Sequence, residues 1–194
     1  MHNSKQKLIV SRRDFLRSAI VTTGGIVASL SAAPVFSAVL KKKERVLSFY
    51  NIHTEEKSKI QYWANGHYLR DGIAEINQLL RDHRSGGHAN MDTRLLDTLY
   101  LMQNRLENHH SFEVISGYRS PETNRYLRSM DKSGVAKRSY HTKGRAIDIR
   151  LPGTQLSDLR KVALSTRSGG VGYYPSSNFL HLDTGRYRSW TGRS

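Results

Sequence analysis

Two short segments carry polar residues inside otherwise aliphatic patterns. In Ala146-Ile147-Asp148-Ile149-Arg150-Leu151, strand alternation sends Ile147, Ile149 and Leu151 to one face and Asp148 to the other. In Phe179-Leu180-His181-Leu182-Asp183, it sets Leu180 and Leu182 against Phe179, His181 and Asp183. If both strands bury their aliphatic faces in one sheet, Asp148, His181 and Asp183 gather over a shared concavity. His141 can reach it from the loop just before the first strand. The chain has no cysteine, so disulfides and thiolate catalysis are excluded and a metal must be held by nitrogen and oxygen. Two imidazoles and a carboxylate, with a fourth position left to water, suit catalytic zinc. Such a site lowers the pKa of water to about 7 and polarises a carbonyl, which permits peptide hydrolysis without a nucleophilic side chain. The same donors accept other divalent ions.

The elements that must position these groups appear as periodicities. Val46 to His53 and Lys59 to Trp63 are rich in Val, Phe, Tyr and Ile and flank a polar segment, which predicts a hairpin. Ile73, Ile76, Leu79 and Leu80 fall on one helical face, as do Leu95, Leu99, Met102 and Leu106. The Gly-rich connection between them carries His83 and His88, read as solvent-facing rather than metal-ligating. Phe112 to Ser116 reads as a buried strand, and Ser120-Pro121 opens a helix with Ser as N-cap and Pro in the first turn. Arg119 therefore sits at a strand-to-helix junction. Leu156 to Ser165 predicts another helix, and Val171 to Tyr174 and Phe179 to Asp183 a final strand pair around Pro175-Ser176-Ser177-Asn178. Helices first and strands clustered later favour an α+β domain.

The formal net charge of the 194 residues is +15, which implies attraction to a polyanion. Up to Ala38, Lys5, Lys7, Arg12, Arg13 and Arg17 oppose Asp14, a net of +4, so the remainder keeps 15 less 4, or +11. No stretch interleaves this charge with aromatics as a base-stacking platform would, and no helix-turn-helix or zinc-finger spacing is present, so nucleic acid is not expected as a partner. Ser11-Arg12-Arg13-Asp14-Phe15-Leu16-Arg17, followed by an uncharged run from Ser18 to Leu40, resembles a twin-arginine export signal. Its run is diluted by Thr22, Thr23, Gly24 and Gly25, whereas a spanning helix wants about 20 predominantly apolar residues. The expected organisation is an export signal over residues 1–38, a basic linker over 39–45 and one domain over 46–194. The expected product is periplasmic, soluble and monomeric, with no stable membrane insertion after cleavage.

Ser139-Tyr140-His141-Thr142-Lys143-Gly144-Arg145-Ala146-Ile147-Asp148-Ile149 resembles the S-x-H-x-x-G-x-A-x-D-[IL] motif of the zinc D-Ala-D-Ala peptidase superfamily. Gly172-Tyr173-Tyr174-Pro175 through Phe179-Leu180-His181-Leu182-Asp183-Thr184-Gly185 is similar to its second metal motif, and Ser116-Gly117-Tyr118-Arg119-Ser120 to its S-G-[YW]-R-[ST] segment. The resemblance runs from about Val46 to Trp190, and its nearest branch is the YcbK-like one. It implies a hedgehog/DD-peptidase-like α+β fold, an antiparallel sheet flanked by helices. It also implies Zn2+ on His141, Asp148 and His181, with Ser139, Gly144 and Ala146 shaping the intervening turn. Arg119 would bind a substrate carboxylate or the tetrahedral oxyanion. Many members carry a general-base Glu three residues before the last His, and here that position is Asn178, which cannot take a proton. Asp183 is then either the base or the group that orients a ligand imidazole.

The function the resemblance implies is a murein endopeptidase cutting peptidoglycan cross-links, with links between diaminopimelate residues as the expected substrates. The alternatives are a carboxypeptidase acting on stem peptides and a zinc-containing wall-binding module without hydrolysis.

Overall fold

The computed structural model describes residue 39 and residues 42–130 and 134–192. The twin-arginine segment lies outside the described residues. Among the described residues no helix is long and apolar enough to cross a membrane.

The strands are β1 (Glu44–Asn51), β2 (Lys57–Ala64), β3 (His67–Tyr68), β4 (Phe112–Ser116), β5 (Ala146–Arg150), β6 (Gly170–Tyr174), β7 (Phe179–Asp183) and β8 (Arg188–Thr191). The helices are α1 (Arg70–Leu79), α2 (Thr93–Arg105), α3 (Pro121–Ser129) and α4 (Leu156–Thr166), with a 3-10 turn over Tyr140–Lys143. The strands form one sheet in the order β3-β2-β1-β4-β5-β7-β6-β8.

The predicted hairpin, the helices and the strands at 112, 146, 170 and 179 are present, and the α+β class holds. The sheet, however, is mixed rather than antiparallel, because β1 pairs with β4 and β6 with β8 in parallel. Parallel neighbours need long connections, and here β2, β3, α1 and α2 fill the first of them. Pairing of that range leaves no trace in local alternation. β1 also takes in Glu44 and Arg45, which the sequence suggests as linker. Arg45 is buried, 2.6 Å from Asp97 and stacked over Trp63.

One face of the sheet makes the core. Leu47 and Phe49 of β1, Ile60 and Tyr62 of β2, Ile147 and Ile149 of β5, and Leu180 and Leu182 of β7 are buried with Ile76 and Leu80 at α1, Leu95, Leu99 and Met102 of α2 and Leu159 of α4. Each such side chain removed from water stabilises the fold by about 1.5–3 kcal/mol before entropy is charged against it. Since alternation commits Ile147, Ile149, Leu180 and Leu182 to the helix side, Asp148, His181 and Asp183 are left on the opposite face.

Candidate active site

Asp148 and His181 are directly paired across β5 and β7, so alternation and register together put them side by side. His141 arrives from the 3-10 turn. Ser139 caps that turn by accepting the His141 N–H, and the turn closes at Gly144 in the left-handed region, φ +63°. The Gly144 requirement is twofold, because a Cβ there would also lie 2.4 Å from the Asn90 carbonyl oxygen.

One atom from each of His141, Asp148 and His181 lies within 4.8 Å of the others. His141 Nε2 is 3.2 Å from His181 Nδ1 and 3.3 Å from Asp148 Oδ2, and His181 Nδ1 is 2.7 Å from Asp148 Oδ1. The outward nitrogens are committed elsewhere. His141 Nδ1 meets the Gly117 carbonyl at 2.7 Å, and His181 Nε2 meets Asp183 Oδ2 at 3.2 Å. Each imidazole can thus donate its N–H away from the cluster and present a lone pair inward, as metal ligation requires.

Electrostatics follow from this geometry. Burial opposes the Asp148 charge, but the two imidazoles outweigh it and hold the carboxyl far below the ordinary range. Burial likewise disfavours a charged His181, yet the carboxylates of Asp148 and Asp183 overcome it and raise the imidazole to about 9. Asp183 has a fully buried side chain, and its acceptor capacity is filled. It receives the Gly170 and Gly185 N–H groups, a two-pronged Arg188 guanidinium at 2.6 and 3.0 Å, and His181. These partners outweigh its desolvation and keep it well below the usual carboxylate range.

Arg119 is carried to the cluster by the junction after β4, where Tyr118 N–H bonds to the Leu80 carbonyl and Arg119 N–H to the His141 carbonyl. Its guanidinium is held by Ser116 Oγ at 3.2 Å and lies 4.0 Å from Asp148 Oδ2. Burial lowers its pKa and Asp148 partly restores it. The cluster opens into a groove of about 600 Å³ lined by Arg119, Arg138, Tyr174, Arg188 and Trp190.

A model of the peptidoglycan L,D-endopeptidase MepK family matches residues 39–190. The chain is 41% identical over 179 residues to peptidoglycan L,D-endopeptidase MepK of Escherichia coli (strain K12), an alignment covering 91% of this chain and 98% of the relative. It is equally similar to the protein of that name in Shigella flexneri. It is also 40% identical over 175 residues to the probable peptidoglycan L,D-endopeptidase MepK of Haemophilus influenzae, covering 89% of this chain and 94% of that one. The chain belongs to this family. It is thereby a member of the zinc D-Ala-D-Ala peptidase superfamily, in its murein endopeptidase K branch. No solved structure matches it at a significant level.

Asn178, where many superfamily members have Glu, is an exposed turn residue at φ +51°, a conformation Asn tolerates better than Glu. It does not line the groove, and Asp148 is the only carboxylate among the described residues that does. His88 is exposed, whereas His83 is half-buried and stacked on His53 at 3.8 Å, so it does not simply face solvent. Sequence reasoning missed Arg188 and Trp190. The available signals were the Arg188/Trp190 alternation and the alternate glycines Gly170 and Gly172 opposite them.

Proposed function

We propose that this family member is a zinc-dependent murein endopeptidase that hydrolyses the peptide cross-links of peptidoglycan between two diaminopimelate residues, the 3-3 links. In this proposal it acts as a monomer in the periplasm after twin-arginine export. The observation that carries the proposal is the His141–Asp148–His181 donor set, whose three atoms converge within 4.8 Å while both outward imidazole nitrogens are tied off. Nitrogen and oxygen donors of this number fit zinc with an open position. When bound there, zinc supplies a Lewis acid for the scissile carbonyl and lowers the pKa of water to about 7. The α+β sheet with its donors on the face away from the helices is consistent with a hedgehog/DD-peptidase-like fold. The relatives' name supports the bond assignment, because a 3-3 link joins the L-centre carboxyl of one diaminopimelate to the D-centre amine of another.

The chain's own residues divide the remaining work. Arg119, pinned by Ser116 and already partly desolvated, offers a planar donor fork to the carbonyl oxygen as negative charge develops on it. Asp183 orients His181 rather than drawing a proton, since its acceptor sites are taken by two backbone N–H groups, Arg188 and His181. A wall-binding module without hydrolysis is the second reading, favoured by the lack of a free carboxylate among the described groove residues.

Digestion of purified sacculi by wild-type protein, with and without a chelator, and by His181→Ala separates the two. Loss of 3-3 dimers, blocked by chelator and by His181→Ala, is the expected result. Unchanged muropeptides in every sample would leave only the binding module, and loss of 4-3 dimers alone would contradict the bond assignment.

A further inference from the structure

Three strands meet in register beneath the groove. β6 lies between β7 and β8, and the pairings align Asp183, Gly170 and Arg188 in one row and His181, Gly172 and Trp190 in the next. Residues aligned across neighbouring strands share a face. In these two rows the outer strands therefore project side chains toward the groove and the middle strand projects none, its first side chain on that face being Tyr174.

The space above the middle strand is filled by reach from β8. Arg188 extends across Gly170 to hold both Asp183 oxygens, at 3.0 and 2.6 Å. The Trp190 indole lies over Gly172 with its ring 5.3 Å from the His181 ring. A Cβ on Gly170 would fall 2.4 Å from both Arg188 Nη1 and Asp183 Oδ2, and one on Gly172 would fall 2.5 Å from the indole. Neither glycine has a positive φ, so backbone conformation does not require them; the space does. The reaching side chains are themselves fixed. Trp190 Nε1–H donates to the Tyr174 hydroxyl at 3.1 Å, and the Arg188 guanidinium lies 4.9 Å over the indole and 5.5 Å over the Tyr140 ring.

We infer that edge strand β8 is a buttress for the proposed metal site, in which Arg188 and Trp190 are positioning residues acting on His181 across a two-glycine gap in β6. The inference rests on the zinc site proposed above. Arg188 sets the plane of the Asp183 carboxylate by a two-point contact, and that carboxylate fixes which His181 nitrogen carries the proton. Trp190 limits rotation of the same imidazole by contact. Partners of this outer kind typically set 10- to 100-fold of metal affinity.

The test is zinc affinity, by competition with a chromogenic chelator, alongside thermal unfolding of the metal-stripped proteins. Arg188→Met and Trp190→Ala are each expected to bind zinc about 10- to 100-fold more weakly. The stripped proteins should melt within about 3 °C of wild type, a shift equivalent to roughly 1 kcal/mol. Arg188→Lys and Trp190→Phe should recover part of the affinity, and Gly172→Ala, which displaces the indole, should behave like Trp190→Ala. If the Gly172 variant does not fold, the Trp190 pair decides. Folded variants that bind zinc within about twofold of wild type overturn the buttress. So does affinity loss that tracks loss of stripped-protein stability and is not recovered by the conservative variants. A wild-type protein that binds no zinc overturns the proposed function itself, whereas a zinc-binding wild type with unaffected variants overturns only the buttress.

Discussion

His141 owes its orientation to a main-chain group, the Gly117 carbonyl, while His181 owes its own to a side chain, Asp183. That difference explains what the sequence could reveal. Alternation in two strands was enough to place Asp148, His181 and Asp183 on one face, and the structure brings them together. A carbonyl acceptor can come from any residue, so nothing in the residue types marked Gly117, and His141 was placed chiefly by resemblance. Residue types leave the role of Asp183 open between base and orienting group, and its filled acceptor sites support the orienting role proposed above. Asp183→Asn keeps an acceptor for His181 but loses the charge facing Arg188. We expect it to weaken zinc binding roughly tenfold while kcat at saturating zinc stays within about tenfold of wild type. A loss of about 100- to 10,000-fold in kcat at full zinc loading would instead mark Asp183 as a general base. Arg119→Lys keeps the charge and loses the fork. Its kcat should fall about 100-fold with zinc content unchanged by elemental analysis.

The elements bearing the site are tied together by polar residues, among them the half-buried Asp92 and the buried Thr184. Asp92 caps α2 through the Arg94 N–H and accepts the Thr184 hydroxyl at 2.7 Å, and its own N–H bonds to the Gly144 carbonyl. One residue therefore joins a helix start, the His141 turn and the end of β7. Burial opposes its charge, but the bonds from Arg94 and Thr184 prevail and bring its pKa to about 2. A carboxyl depressed in the native state stabilises the fold above its unfolded pKa of about 4, and that contribution disappears as pH falls from about 4 to about 2. Urea unfolding should show Asp92→Asn less stable than wild type by on the order of 1–2 kcal/mol at pH 7, with the gap closing by about pH 2. Gly144→Ala forces both a left-handed backbone and a 2.4 Å approach to the Asn90 oxygen, and should cost about 1–3 kcal/mol in the same measurement. The long amphipathic helices and the alternating strands were legible because their periods are local. β3 and β8 were not, since β3 has two residues and β8 is a largely exposed edge without an apolar face. The parallel pairings of β1 with β4 and β6 with β8 were hidden for a different reason, as strand direction depends on what lies between the partners.

Across the whole molecule, one sheet face is committed to helices and core while the other carries the chemistry. The aliphatic residues that build the core therefore also fix where the polar ones must go, and a single alternation pattern encodes both. Arg188 and Trp190 escape that economy, because their reach depends on empty positions in a neighbouring strand. The central claim is that peptide cross-link hydrolysis depends on zinc held by His141, Asp148 and His181. Its most direct test is cleavage of a purified 3-3 muropeptide dimer by metal-stripped protein during zinc titration, with Asp148→Ala in parallel. Activity should return in proportion to bound zinc and saturate at one equivalent per chain, and Asp148→Ala should remain inactive throughout. Cleavage by the stripped protein, or recovery by Asp148→Ala to wild-type rates, would contradict the claim.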